Sequence, residues 1–314
     1  MPNVLAVDLG GTKCSAAIVD RGGHILSQRT IPVDRSSASA PVVQIEKLAN
    51  ELAAAKTPQR AFVAAAIAVP GLARRTGTVW APNIPGWQRM PLASRLKRSL
   101  RIPVYVESDR NAAILGECWR GAAQGKSDAV VVMIGTGIGA GILSGGRILR
   151  GAHELSGCAG WLTGAHREAP TEANTAELEF HAAGPAIARA ALQRLRNGDE
   201  TSLSRLDPSS ITALEVAHAA RKGDRLALEI FTRAGEALGY GIANMISLLD
   251  PQIVILGGGM AGVADLYLKS LRRSMLERAQ PLVSRQVEIT VSKLRDKANL
   301  LGCARLAWDH ATRV

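Results

Sequence analysis

The sequence uses one device twice. An apolar run, Val4-Leu5-Ala6-Val7-Asp8-Leu9, breaks into Gly10-Gly11-Thr12-Lys13, and Ala129-Val130-Val131-Val132-Met133-Ile134 breaks into Gly135-Thr136-Gly137-Ile138-Gly139. Short continuous aliphatic runs bounded by turn residues are expected as buried strands. A strand that stops at glycines brings backbone N–H groups within reach of an anion, because glycine tolerates φ > 0 and has no Cβ to block the approach. Two such turns at the heads of two half-chains point to a phosphate chain gripped between two lobes. Gly-Gly and Gly-x-Gly also mark ordinary hairpins. The pairing, each turn after an apolar strand and the first with Asp8 beside it, favours the phosphate reading.

The 314 residues exceed the usual size of one core, so two lobes are expected. A hydrophobic fraction of 47% with 31 glycines and only 4% aromatics describes an α/β protein with a core of Ala, Val, Leu and Ile. The net charge of +11 is scattered over Arg95–Arg101, Arg221–Arg225 and Arg285–Lys297, with no long basic block or aromatic stripe. A nucleic-acid partner is therefore not expected, and a general pull on anionic ligands is. The four cysteines, Cys14, Cys118, Cys158 and Cys303, form no Cys-x-x-Cys pair, which argues against a disulfide framework or zinc knuckle and for a reducing cytoplasm. No leader pattern opens the sequence and no run of about 18 apolar residues interrupts it, so neither secretion nor membrane insertion is expected.

Along the chain, 4–9, 14–19 and 24–33 read as a β-meander, 40–55 as a helix and 62–69 as a buried strand ending in Pro70-Gly71. A helix at 91–100, a strand at 104–107 and a helix opening at Ser108-Asp109-Arg110-Asn111 follow. The second half repeats the order: a strand, a glycine hairpin at 135–141, a third strand near 146–149, and helices at 175–196, 211–222 and 224–247. A strand at 252–256 then ends in Gly257-Gly258-Gly259, and a helix near 264–278, a strand at 287–292 and a helix from Leu300 close the chain. This order suggests a duplicated α/β unit with a ligand crevice at the carboxyl ends of the strands.

Seven segments in one order now carry a resemblance: Asp8–Lys13, Val69-Pro70-Gly71, Ala81–Trp87, Ser108–Ala113, Gly135–Gly141, Gly184-Pro185-Ala186-Ile187 and Asp250-Pro251 through Val254–Gly259. The sequence resembles the ROK family (repressor, open reading frame, kinase) of sugar kinases, in the actin, hexokinase and Hsp70 fold superfamily. The resemblance implies a two-lobed actin-like, ribonuclease H-like fold, with a small lobe at 1–118, a large lobe at 119–297 and a helix from about 298 to 314 packing back on the first. It implies ATP-dependent phosphorylation of a hexose, glucokinase-like, with Asp109 as general base and Asp8 holding Mg²⁺ through water. Gly10, Gly11, Thr12, Lys13, Gly135, Thr136 and Gly137 would hold the triphosphate, and Gly257, Gly258 and Gly259 would lie along the adenosine. Gly71, Asn83, Ser108, Asp109, Cys158, Trp161 and Glu179 would face the sugar, and a homodimer is the family expectation. The bland alternatives are a helix N-cap for Asp109, a turn cap for Asp8 and a simple strand-to-helix turn for Gly257–Gly259.

The acceptor half departs from the family pattern. Ser108 stands where Asn usually precedes the base, and Ser156-Gly157-Cys158-Ala159-Gly160-Trp161 replaces Ala-Gly-Glu-x-Gly-His. The family's zinc-binding histidine and the three downstream cysteines are missing together, since His166–Ala176 holds no cysteine, so no zinc is expected. His153, His166 and His181 have no standard metal spacing and read as loop or helix-surface residues. Cys158 and Trp161 should weaken hydroxyl recognition and favour stacking on a sugar face, altering sugar choice. Two alternatives stay open: a non-catalytic sugar- or nucleotide-binding homologue, and a kinase using polyphosphate or an unusual aminosugar. The sequence begins directly on the kinase strand with no helix-turn-helix before it, which disfavours the DNA-binding branch.

Overall fold

The structure, a computed structural model, describes residues 2–54, 62–163 and 175–311. It divides into two compact units: Met1–Gly125 with Ile148–Ser156 and Lys293–Val314, and Lys126–Arg147 with Gly157–Ser292. In the first, β1 (Asn3–Leu9), β2 (Lys13–Val19) and β3 (Ile25–Pro32) form the expected meander, followed by α1 (Ala40–Ala54) and β4 (Phe62–Val69). A small hairpin of β5 (Leu72–Ala73) and β6 (Val79–Trp80) leads to α2 (Leu92–Leu100), β7 (Val104–Ser108) and α3 (Asp109–Arg120). The sheet runs β3-β2-β1-β4-β7, antiparallel through β1 and parallel across β1, β4 and β7.

The second unit repeats the plan with β8 (Ala129–Ile134), β9 (Ile138–Ser144) and β10 (Arg147–Ile148), then α4 (Glu177–Ala182), α5 (Gly184–Arg196), α6 (Ala213–Arg221) and α7 (Arg225–Leu249). After these come β11 (Ile253–Gly257), α8 (Ala264–Arg278), the short α9 (Pro281–Ser284) and β12 (Glu288–Val291). Its sheet order, β10-β9-β8-β11-β12, matches the first strand for strand. The final helix, α10 (Ala298–Ala311), returns to the first unit.

The structure differs from the sequence reading in three places. The helix expected over 175–196 breaks at Ala183, which is extended (φ −74°, ψ 163°), because Pro185 has no N–H to continue a helix and fits only in the first turn of a new one. The third strand near 146–149 shrinks to the two residues of β10. Ile148–Ser156 belongs with the first unit, tied there by an Arg150–Glu107 ion pair, by Arg110 Nε donating to Ser156 O at 3.2 Å, and by Arg75 N donating to Glu154 Oε1 at 2.8 Å.

Alternation along β1 builds two cores at once. Leu5, Val7 and Leu9 pack towards α1 and α2, while Val4 and Ala6 pack towards α10. Two glycines allow α10 to lie close against α3. A Cβ on Gly302 would overlap the carbonyl of Ala112, and one on Gly116 would overlap that of Ala298. Neither neighbour is a flexible side-chain end, so the backbone itself would have to move. Gly302→Ala is therefore expected to destabilise by about 1–3 kcal/mol, seen as a lower urea midpoint at unchanged slope. Gly262→Ala, which meets open space, should stay within about 0.5 kcal/mol of wild type; equal midpoints for the two variants would show that the helices need no such proximity.

Candidate active site

In the first unit, three parallel strands end side by side. Asp8 on β1 pairs with Ala68 on β4, which pairs with Glu107 on β7; one residue on, Val69 pairs with Ser108. With strands about 4.8 Å apart, this row spans about 10 Å. The turn Gly10–Thr12, the Pro70-Gly71 turn and the N-terminus of α3 all leave from it. Gly71 needs to be glycine: its φ is +102° and a Cβ would overlap the carbonyl of Trp80. Trp87, fully buried, donates Nε1–H to Ala38 O at 2.8 Å and pins the loop on which Asn83 is exposed.

Asp109 is the first residue of α3, and Ser108 occupies the N-cap in extended conformation without making a side-chain cap bond. The N-cap alternative for Asp109 therefore gives way. Its Oδ1 accepts the Arg110 N–H at 2.8 Å. Burial pushes the Asp109 carboxyl up, and the Arg110 N–H and guanidinium hold it back. Beneath it, buried Glu107 accepts Ser108 N–H and Asn111 Nδ2–H through Oε1, each at 3.0 Å, and pairs through Oε2 with Arg150. Asp8 accepts Asn299 Nδ2–H from α10 at 3.1 Å. Burial pushes Asp8 up to about 6, the Asn299 bond opposes this, and Asp109 adds like-charge repulsion.

Four buried polar atoms of this row have no hydrogen-bond partner: Ser108 Oγ, Arg110 Nη2, Asn111 Oδ1 and Asn299 Oδ1. Buried polar atoms in folded proteins are nearly always paired, and an unmet one costs about 1–3 kcal/mol. Ser108 and Arg110 adjoin Asp109 in the chain, Asn111 bonds to Glu107 and Asn299 bonds to Asp8, so the unmet polar capacity is concentrated at this row.

The glycine turn after β1 is closed by Gly10 N–H donating to Lys13 O at 2.9 Å, with Thr12 O accepting Val33 N–H. Lys13 is exposed and lies 3.8 Å from Asp296. Arg35, which no motif flagged, lies over the turn: a Cβ on Gly11 would come 3.6 Å from its Nη2. One physical expectation fails. Gly10, Gly11, Gly135 and Gly137 do not have positive φ, and only at Gly137 would a Cβ overlap a neighbour.

In the second unit, Gly137 and Gly160 leave room for the carboxylate of Glu179, whose Oε2 accepts Ile138 N–H at 2.9 Å. Gly135 O accepts Gly184 N–H at 2.8 Å, so the segment Gly184-Pro185 braces the turn that contains Thr136. Gly257 lies in register with Met133 on neighbouring β8, which sets Gly257–Gly259 beside Gly135–Gly137. Gly258 alone of these has positive φ, +80°, and a Cβ there would overlap the Ile134 backbone. Cys158 and Trp161 are both exposed, Trp161 at 56%, on either side of the buried Ala159 and Gly160. His166 lies outside the described residues; His181 is partly buried edge-on to Phe180, and His153 is exposed. Among the described residues no three His, Cys, Asp or Glu side chains form a metal-holding group, and no helix is long and apolar enough to cross a membrane.

Glu107, Asn299 and Arg35 were missed by sequence reasoning. Asn299 is 291 residues from its partner, and no local pattern could have joined them. The raised Asp8 value has a consequence for stability. An acid whose folded-state value exceeds its unfolded value near 3.9 opposes folding once ionised: the penalty is absent below about pH 4, grows between 4 and 6, and is complete above. Asp8→Asn should therefore stabilise the protein at pH 7.5 by at most about 3 kcal/mol, with the gain fading towards pH 4 in chemical denaturation. A gain of equal size at both pH values would contradict this origin.

Comparison with known proteins identifies the family and the fold. The family model described as "ROK family" matches residues 4–310. A glucokinase of Halalkalibacterium halodurans is 30% identical over 307 residues, covering 95% of this chain and 92% of its own. A xylose repressor of Caldicellulosiruptor bescii is 31% identical over 307 residues, covering 96% of this chain and 77% of the repressor. The crystal structure of a ROK family glucokinase from Streptomyces griseus, in complex with glucose and AMPPNP, superposes with a TM-score of 0.80 at 30% identity over 98% of this chain and 99% of that one. The fold is that of the actin-like ATPases, and the chain belongs to the ROK family.

Proposed function

We propose that the protein is an ATP-dependent hexose kinase, transferring the terminal phosphoryl group of ATP to a sugar hydroxyl with Asp109 as general base. The observation that carries this reading is the set of unpartnered polar atoms, Ser108 Oγ, Arg110 Nη2 and Asn111 Oδ1, around that carboxylate. One hydroxyl donor or acceptor, one N–H donor and one carbonyl acceptor are what a polyol can satisfy together. Desolvation makes Asp109 a stronger base, and the Arg110 N–H and guanidinium oppose that rise. As the metaphosphate-like group reaches the hydroxyl oxygen, the O–H proton passes to Asp109 and ADP leaves with the electrons of the broken bond.

Phosphoryl transfer from ATP calls for Mg²⁺. The all-oxygen set of Asp8 carboxylate and the unpartnered Asn299 Oδ1 fits a hard cation that keeps part of its water shell. When bound, the ion would neutralise charge on the transferring phosphate. On this reading Gly10–Lys13 and Gly135–Gly137 supply N–H groups to the phosphates, with Gly257–Gly259 beside the adenosine. Gly71, Asn83, Ser108, Glu179, Cys158 and Trp161 face the sugar. A homodimer in the cytoplasm is the assembly and compartment the family suggests.

A second reading, a sugar-binding protein without catalysis, is favoured by the xylose repressor among the relatives and by Cys158 and Trp161 in place of the family's Glu and His. A panel of hexoses and aminosugars with Mg²⁺ and either ATP or polyphosphate separates the two. We expect ADP release with at least one hexose, and no turnover with any sugar or donor would establish the non-catalytic reading. Asp109→Asn should lower turnover at least about 100-fold while AMPPNP binding is unchanged; activity above about one percent would remove Asp109 from the role.

A further inference from the structure

A cavity of about 520 Å³ opens beside the edge strand β7, between it, the β5–β6 turn and the end of α10. Every residue lining it belongs to the first unit. Its size is that of small-molecule sites. Three guanidiniums, Arg74, Arg75 and Arg150, line it against a single carboxylate, Glu107, and that carboxylate is already engaged by Arg150, Ser108 and Asn111. Arg74 is exposed and has no carboxylate within ion-pairing distance among the described residues, while Arg75 reaches Glu154 only at 3.8 Å. Tyr105 and His310, also in the lining, are stacked ring on ring, centroids 4.2 Å apart and 13° from parallel.

Unbalanced guanidiniums match a phosphate in charge and in geometry, since each can offer two parallel N–H donors to two oxygens. A phosphomonoester carries close to two negative charges at neutral pH, and the wall offers it Arg74, which has no carboxylate partner among the described residues, beside Arg75 and Arg150. The stacked pair offers a flat face to a sugar ring. We propose that this cavity binds a small phosphomonoester, a phosphorylated sugar or free phosphate, held by Arg74 and Arg150 beside the Tyr105–His310 pair. The site also has a route to the strand-end row. A ligand drawing on Arg150 takes charge from Glu107, whose other oxygen holds the N–H of Ser108 and the amide of Asn111, on either side of Asp109. That link to activity rests on the reading of Asp109 as the base; the binding does not.

The test reads the cavity directly. His310 is one of six histidines, so its imidazole NMR signals can be assigned with His310→Asn and followed at constant pH and ionic strength while inorganic phosphate, or separately glucose 6-phosphate, is added. We expect a saturable shift of the His310 signals in wild type and at least tenfold weaker binding in Arg74→Ala. Arg74 is exposed, so that variant is expected to fold. Tighter binding of glucose 6-phosphate would identify the sugar phosphate as the ligand, and equal affinity would identify phosphate itself. An unmoved His310 signal, or a shift of the same affinity in Arg74→Ala, would overturn the proposal. A protein that releases no ADP with any sugar could still give the expected shifts, so failure of the kinase reading and failure of this one are distinguishable.

Discussion

The close packing of α10 against α3 is the constraint on which the first unit depends. It exists because Gly116 and Gly302 leave the two backbones free to approach where any Cβ would collide with a carbonyl. Once the helices are locked, α3 begins at Asp109 and α10 begins just before Asn299, so both helices bring polar side chains to the ends of parallel strands. Asn299 then reaches Asp8, and Cys303 on the next turn donates Sγ–H to Val7 O at 3.3 Å, pinning α10 to the same strand. A segment almost 300 residues downstream thereby becomes part of the row that starts at Asp8.

That row works against stability. Two carboxylates are desolvated near one another, and four polar atoms are buried without partners. Each such atom costs free energy in the isolated protein, and proteins tolerate such costs chiefly where a ligand or a reaction makes use of them. The surrounding apolar packing offsets them: Ala64, Ala66 and Ala68 on β4 and Ala304 and Ala307 on α10 are small, fully buried and part of one core.

Much of the fold could be read from the sequence because buried parallel strands are continuous apolar runs, and Val4–Leu9, Phe62–Val69 and Ala129–Ile134 are all of that kind. The duplicated order followed from them. The helix break at Ala183 was also open to a local reading, since Pro185 carries it, but helical spacing on both sides concealed it. Of the candidate site, the turns and the two aspartates were visible because each lies where an apolar run stops. The reason for glycine there was misjudged: at Gly137 the need is space for Glu179, which belongs to another element. Glu107, Asn299 and Arg35 had no local signal, since their partners are set by tertiary packing. The return of Ile148–Ser156 to the first unit is likewise a matter of single side chains, Arg150, Ser156 and Glu154 finding Glu107, Arg110 and Arg75, which no periodicity encodes.

The central claim is that the polar atoms around Asp109 are held in reserve for a sugar. Ser108 tests it most cleanly, because its buried hydroxyl has no protein partner and its removal breaks no internal bond. Calorimetric titration of the preferred hexose into wild type and Ser108→Ala, with urea unfolding of both, gives the two quantities needed. The account predicts affinity weakened about tenfold, the worth of one hydrogen bond of roughly 1.4 kcal/mol, with folding stability unchanged or raised. Unchanged affinity together with lower stability would show that the hydroxyl serves the fold, and would contradict the account.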